Sequence, residues 1–278
     1  MWPDERPVAE QEIKIKRLIT GVVALPLLIL FILKGTVPQF FSLVAILSLI
    51  GLYEFYQMAL PGKRLETALA VLSGIPVCLA VWSGNFTWFL LAVTSLVLLF
   101  SLLFLFRIEN INKSAGNVAL LFLGILYVPV LLSHLGLIRE LTHGIQWVFL
   151  LLVIVMSGDT AAFYTGSAIG RRKLYPLVSP KKSIEGSMGG LAGSLAGTFV
   201  ARATFFPELS TIDCIATALL LGMLGQLGDL FESMLKRSFG VKDSGKIIPG
   251  HGGLLDRLDS ILFAAPAAFF YAHYFFKS

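Results

Sequence analysis

Apolar residues run through this chain in long unbroken blocks, and polar residues are confined to short gaps between them. A continuous run of about 20 apolar residues matches a helix crossing the hydrocarbon core of a bilayer. Nine such runs can be marked, over 17–34, 38–60, 66–83, 86–106, 115–137, 145–169, 186–206, 211–235 and 256–276. They are continuous rather than alternating, which excludes a transmembrane barrel, where every second residue faces a lumen. Backbone groups in lipid must be satisfied within their own segment. The pattern therefore predicts an all-α, polytopic integral membrane protein with about nine transmembrane helices. The first 16 residues are polar, and no small-residue cleavage site is obvious after the run that follows them, which reads as a retained helix.

Composition agrees. Of 278 residues, 56% are hydrophobic and only 14% charged, against roughly 25% charged in soluble domains. Net charge is +5, but its placement is more informative than its sum. With the N-terminus cytoplasmic, 18 of the 22 Lys and Arg fall in inner segments, leaving Lys34, Arg139, Arg202 and Lys277 outside. Basic residues favour the cytoplasmic side, so this orientation is the expected one. Cys78 and Cys214 both sit in apolar runs and read as small buried residues. Two inner connections, roughly 170–186 and 236–256, are basic and rich in Gly, Pro or Ser. We expect one continuous membrane domain, with scaffold helices over 1–144 and catalytic helices and cytoplasmic loops over 145–278.

Candidate chemistry concentrates around the second of these connections. On a helix, Asp229, Glu232, Ser233, Lys236 and Arg237 recur at i, i+3, i+4, i+7 and i+8 and so share a face. Carboxylates inside a span are costly and normally face a bundle interior, a partner or a wet cavity. The loop that follows carries Lys242, Asp243 and Lys246, then Pro249-Gly250-His251-Gly252-Gly253, a backbone able to turn tightly and approach a ligand. The last run opens with Asp256-Arg257-Leu258-Asp259, again two acids at i and i+3. Hard oxygen ligands suit Mg²⁺, and neighbouring Lys and Arg suit phosphate. The plainer alternative for the four acids is ion pairing with Lys236, Arg237 and Arg257. An earlier cluster holds Asp159 inside a span and Ser179-Pro180-Lys181-Lys182-Ser183-Ile184-Glu185-Gly186 beyond it. Ser183 can cap the next helix, and Glu185 can pair with a nearby lysine. Asp159 reads equally as a ligand or as an internal hydrogen-bonding group, and Glu54 as structural.

The ordered stretch from Ser233 through Lys236-Arg237, Lys242-Asp243, Pro249-Gly250-His251-Gly252-Gly253 and Asp256-Arg257 to Asp259 resembles the signature of phosphatidate cytidylyltransferases. The segment from Ser179 to Gly186 is similar to that family's second motif, although many members carry Thr and Trp where this chain has Ser183 and Ile184. Ser keeps the hydroxyl. The resemblance implies transfer of CMP from CTP to phosphatidate, with Mg²⁺ as cofactor and a second cation left open. It implies Asp229, Asp256, Asp259 and Glu232 as metal ligands, the first three with Lys236 as the catalytic set. Substrate contacts would come from Lys182, Ser183, Ser233, Arg237, Lys242, Asp243, His251, Gly252, Gly253 and Arg257. CTP, phosphatidate and membrane lipids are the implied partners, with no nucleic acid, and a homodimer is implied by the family alone. The implied location is the plasma (inner) membrane, with the site facing the cytoplasm. The alternatives from other classes are a secondary transporter or another membrane enzyme of phosphorylated lipids. A transporter would hold its carboxylates near the bilayer midplane in paired repeats, whereas these lie at one end.

Overall fold

A computed structural model describes residues 26–107, 110–247 and 252–277. His251, with Pro249 and Gly250, lies outside the described residues, as does the first half of the first apolar run. The described chain is helical almost throughout. It begins in a helix over residues 26–34 (α1) and continues through α2 (Val37–Ala59), α3 (Arg64–Trp82) and α4 (Phe86–Phe106). The next helix, α5 (Ile111–Glu140), contains a π turn at Leu126–Val130, where Pro129 interrupts the regular hydrogen bonding. Then come α6 (Gly144–Ile169), a hairpin of β1 (Lys173–Tyr175) and β2 (Ser179–Ser183), α7 (Ile184–Thr204), α8 (Thr211–Ser238) and α9 (Leu255–Tyr274).

Helix starts follow local chemistry. Thr36 and Gln39 form a reciprocal capping box at α2, and Ser210 and Asp213 form another at α8. Asn85 and Asn110 cap α4 and α5. Ser183 Oγ accepts the Gly186 amide at 3.1 Å, so the expected cap of α7 is present. The α9 start is different, because Leu254 precedes it with no side-chain cap of its own.

Among the described residues six helices, α2 to α6 and α8, are long and apolar enough to cross a membrane. Among the described residues, α7 and α9 fall short of that standard. The first is diluted by Gly and Ser, and the second opens on Asp256, Arg257 and Asp259. Both are nonetheless bundle helices of spanning length, 21 and 20 residues. Apolar side chains such as Leu90, Leu98 and Leu105 of α4 stand outward, about half exposed, as expected of a helix that faces lipid. Small residues let α6 and α7 approach closely. A Cβ at Gly193 would run into Ala161, and one at Gly197 into Ser157. The α9 helix packs on α8, and also on α5 and α2, so the early and late helices share one core.

A short hairpin sits within the all-α fold. It is a small antiparallel pair that matches Lys173 with Ser183 and Tyr175 with Ser179, the register shifting between the two, and it occupies the first of the two basic inner connections. Its base is closed by Glu185, whose carboxylate accepts the amides of Arg171 (3.0 Å) and Arg172 (3.1 and 3.2 Å) rather than pairing with a lysine. Its own amide and those of Arg171 and Arg172 hold the Glu185 carboxyl below the usual glutamate range.

Candidate active site

A cavity of about 540 Å³ opens among the last four helices and the hairpin, at the end of the bundle where α6 and α8 finish and α7 and α9 begin. Asp159 enters it from α6, Gln226 and Asp229 from α8, and Asp256, Arg257 and Asp259 from α9. The hairpin contributes Lys181, Lys182 and Ser183. Apolar and small residues, including Phe163, Gly166 and Leu174, complete the wall. Another groove, between α1 and α2, is lined by Leu27, Leu30, Phe31, Leu43 and Ile46, with Lys34 as its sole charge. Nothing in that lining offers acid–base or metal chemistry.

The two acid-bearing helices meet because α8 is smooth where it crosses α9. A Cβ at Gly228 would collide with the Asp259 carbonyl oxygen, so the absence of one lets the backbones touch one residue from Asp229. Charges inside the site are paired across elements. Lys182 Nζ lies 2.5 Å from Asp229 Oδ2. Lys236 Nζ lies 2.6 Å from Asp256 Oδ1 and 3.2 Å from Glu232 Oε1. The other Asp256 oxygen, Oδ2, accepts the amides of Ser244 (2.9 Å) and Gly253 (3.0 Å). Gly252 adopts φ +88°, a backbone state that other residues rarely take, and so carries the chain past this carboxylate.

Of the residues singled out in the sequence, Asp229, Asp256, Asp259, Lys182, Ser183 and Arg257 line the cavity. Ser233 donates a long hydrogen bond to Asp229 Oδ1 (3.4 Å). Gly253 and Lys236 act on Asp256. Glu232 takes another position: it is fully buried, outside the cavity wall and beside Lys236. Arg237, Lys242 and Asp243 are exposed beyond the cavity lining. Asp159, left undecided by the sequence, does line the cavity. Gln226 and Ser187 were not anticipated. Gln226 Nε2 donates to the Ser187 carbonyl (3.0 Å), and the Ser187 hydroxyl donates back to Gln226 Oε1, tying α7 to α8 on the cavity wall.

Among the described residues, no three His, Cys, Asp or Glu side chains converge on one point as a ready cation cage. The donors facing the cavity are nevertheless hard carboxylate oxygens, and Lys182 and Lys236 show that the site holds positive charge against them. Mg²⁺ usually takes one or two carboxylates and completes its shell with water and substrate phosphates. The residues present fit that mode of binding.

The fold and cavity define a helical membrane protein whose paired acids and lysines meet at one end of the bundle. The chain belongs to the cytidylyltransferase family, whose model matches residues 15–275. It is 32% identical over 265 residues to the phosphatidate cytidylyltransferase of Bacillus subtilis (strain 168), covering 92% of this chain and 96% of that protein. It is 31% identical over 256 residues to the phosphatidate cytidylyltransferase of Staphylococcus haemolyticus (strain JCSC1435), covering 90% and 95%. Over a shorter stretch of 163 residues it is 41% identical to an uncharacterized protein, YnbB, of Escherichia coli (strain K12), covering 57% and 54%.

Proposed function

We propose that the cavity transfers CMP from CTP to phosphatidate, giving CDP-diacylglycerol and pyrophosphate. One observation carries the reading: acids from α8 and α9 and a lysine from the hairpin share a single cavity at the end of a membrane bundle. Phosphatidate presents an anionic phosphate oxygen that is already a nucleophile. It attacks the α-phosphorus of CTP, a new P–O bond forms, and the bond to the departing pyrophosphate breaks. No side chain has to be activated as a nucleophile. The difficulty is to gather several negative groups in line, which is a matter of positioning and charge stabilisation. Lys182 and Arg257 stand where they can neutralise phosphate oxygens. Asp229, Asp256 and Asp259 are the residues that would hold Mg²⁺, which supplies charge neutralisation on the α-phosphate and the leaving group.

The wider arrangement we infer has nine spans with the N-terminus in the cytoplasm and the cavity on that side. CTP then arrives from water while the acyl chains of phosphatidate remain in the lipid. The plasma (inner) membrane is the expected location, and a homodimer the expected assembly. The Lys and Arg distribution supports the orientation. The test is purified protein in detergent with labelled CTP, phosphatidate and Mg²⁺. Label should enter lipid, release pyrophosphate in equal amount, and stop when the cation is chelated. Folded protein that transfers no label to phosphatidate would refute the assignment.

A further inference from the structure

The mechanism makes no use of the buried acid Glu54. Glu54 sits on α2, in the early scaffold, and is only 2% exposed. A carboxylate so far from water needs partners, and its hydrogen-bond partners among the described residues come from the far end of the chain. Its Oε1 accepts the Leu254 amide at 3.0 Å, and its Oε2 accepts the Leu255 amide at 2.8 Å. Ser244 Oγ donates to Oε2 at 3.3 Å. The first amides of a helix lack intrahelical acceptors and carry partial positive charge. Leu254 offers α9 no side-chain cap, so Glu54 caps that helix from 200 positions upstream.

The contact continues to the site. Ser244 Oγ, while donating to Glu54, accepts the Asp256 amide at 3.2 Å. The Ser244 amide in turn donates to Asp256 Oδ2 at 2.9 Å. Asp256 is therefore held through its amide and through its carboxylate by a serine that Glu54 fixes. The packing leaves little slack: a Cβ at Gly245 would overlap the Glu54 carboxylate, and one at Gly253 would overlap both Ser244 Oγ and Glu54.

We propose that Glu54 is a positioning residue for the transfer reaction, acting through Ser244 and the first turn of α9 to set the Asp256 carboxylate. The proposal rests on the reaction assigned above. Gln at this position keeps one carbonyl oxygen but turns an NH₂ toward amide donors, so it cannot satisfy both Leu254 and Leu255. Glu54→Gln should lower kcat at least about tenfold while KM for CTP and for phosphatidate changes less than about threefold, measured well below the unfolding temperature. Hydrogen exchange should quicken in peptides covering 242–247 and 252–257 and remain unchanged in α6, α7 and the hairpin.

Ser244→Ala leaves the Glu54 contacts to the Leu254 and Leu255 amides and the residue 244 amide on Asp256 Oδ2 in place, and removes the hydroxyl that joins Glu54 to the Asp256 amide, so it should lower kcat in the same direction. The double variant should be no slower than the slower single one, because both act along one path. Near-normal kcat in folded Glu54→Gln, or a double variant whose losses multiply, overturns the proposal. Should Glu54→Gln not accumulate in membranes, Ser244→Ala decides alone, and an unchanged kcat there overturns it. Wild-type protein run alongside separates the two ideas. If wild type labels no lipid, the reaction assignment has failed, and the exchange data still decide whether Glu54 holds the loop that carries Asp256. Exchange that rises throughout the protein would reduce Glu54 to a fold-stabilising residue.

Discussion

Lys182 of the hairpin and Asp229 of α8 touch across the cavity, Nζ to Oδ2 at 2.5 Å, and each side chain remains about 30% exposed. Lys236 and Asp256, at nearly the same separation of 2.6 Å, are exposed by only 13% and 10% and are joined by the fully buried Glu232. The two pairs look alike by distance and differ in surroundings. The first is a wetted contact that an incoming phosphate can open, because phosphate competes for the ammonium. The second is enclosed, one ammonium shared by two carboxylates.

Lys182→Ala should therefore separate activity from stability. Half-wet ion pairs contribute about 0–1 kcal/mol, so the unfolding temperature should move by no more than about 2–4 °C. Losing a phosphate-facing ammonium should lower kcat/KM by roughly tenfold to a hundredfold. Thermal unfolding and label transfer on the same preparation check both halves. A large fall in unfolding temperature would show that Lys182 holds the hairpin down.

The enclosed pair should behave in the opposite way. Lys236→Met strands Asp256 and Glu232 without their shared cation. Breaking such a buried arrangement costs about 3–5 kcal/mol, and poor membrane accumulation or an unfolding temperature lower by about 5 °C or more should follow. Asp256→Asn retains a carbonyl oxygen for the Ser244 and Gly253 amides and should insert and fold. Its turnover should fall below about 1% of wild type, since both the charge and the oxygen facing Lys236 are altered. Turnover near normal at saturating Mg²⁺ would remove Asp256 from the site.

The contrast explains what the sequence could reveal. Helical spacing placed Asp229 with Ser233, and Asp256 with Asp259, on shared faces, and those groups do meet at the cavity or beside it. The same spacing grouped Glu232 with Asp229, yet Glu232 is buried beside Lys236; three-residue spacing does not decide which of two acids reaches an opening, since Asp256 and Asp259 share it and both line the cavity. The link from Glu54 to Leu254 and Leu255 was illegible because no local pattern joins a carboxylate to amides 200 positions away. The uncapped start of α9 was its one trace in the sequence, where a Leu stands in place of Ser, Thr, Asp or Asn. The hairpin was hidden for a related reason. Its strands are only 3 and 5 residues long, and Pro180 with two lysines speaks for a loop.

Gly228→Ala tests whether close approach of α8 and α9 matters to the chemistry. The added methyl group would overlap the Asp259 carbonyl, so the helices must part at the depth of the acids. Overpacking of this kind costs about 1–3 kcal/mol, which a bundle with this many contacts should survive. Moving Asp229 away from Asp259 should lower kcat by more than about tenfold and raise the Mg²⁺ concentration needed for half-maximal rate. Alanine at Gly225, where the nearest neighbours lie at ordinary contact distance beyond 3.5 Å, is the matched control and should have little effect.

Glu185 gives a prediction in pH. Its folded carboxyl lies below the ordinary glutamate value of 4.5, held there by its own amide and those of Arg171 and Arg172. A depressed acid stabilises the fold fully above its unfolded value and loses that contribution as pH falls through its folded value. Anchoring of the hairpin by Glu185 should thus be constant from pH 6 to 8 and weaken only below about pH 4.5. Limited trypsin digestion at neutral pH should cut Glu185→Gln faster than wild type at Lys181 and Lys182, because the neutral amide is a weaker acceptor for two backbone donors. Hydrogen exchange, which can be followed into acid, should show the difference at the Arg171 and Arg172 amides shrinking as wild-type Glu185 takes up its proton. A difference that persists unchanged once wild-type Glu185 is protonated would mean that the hairpin is held by its strand pairing and not by the Glu185 charge.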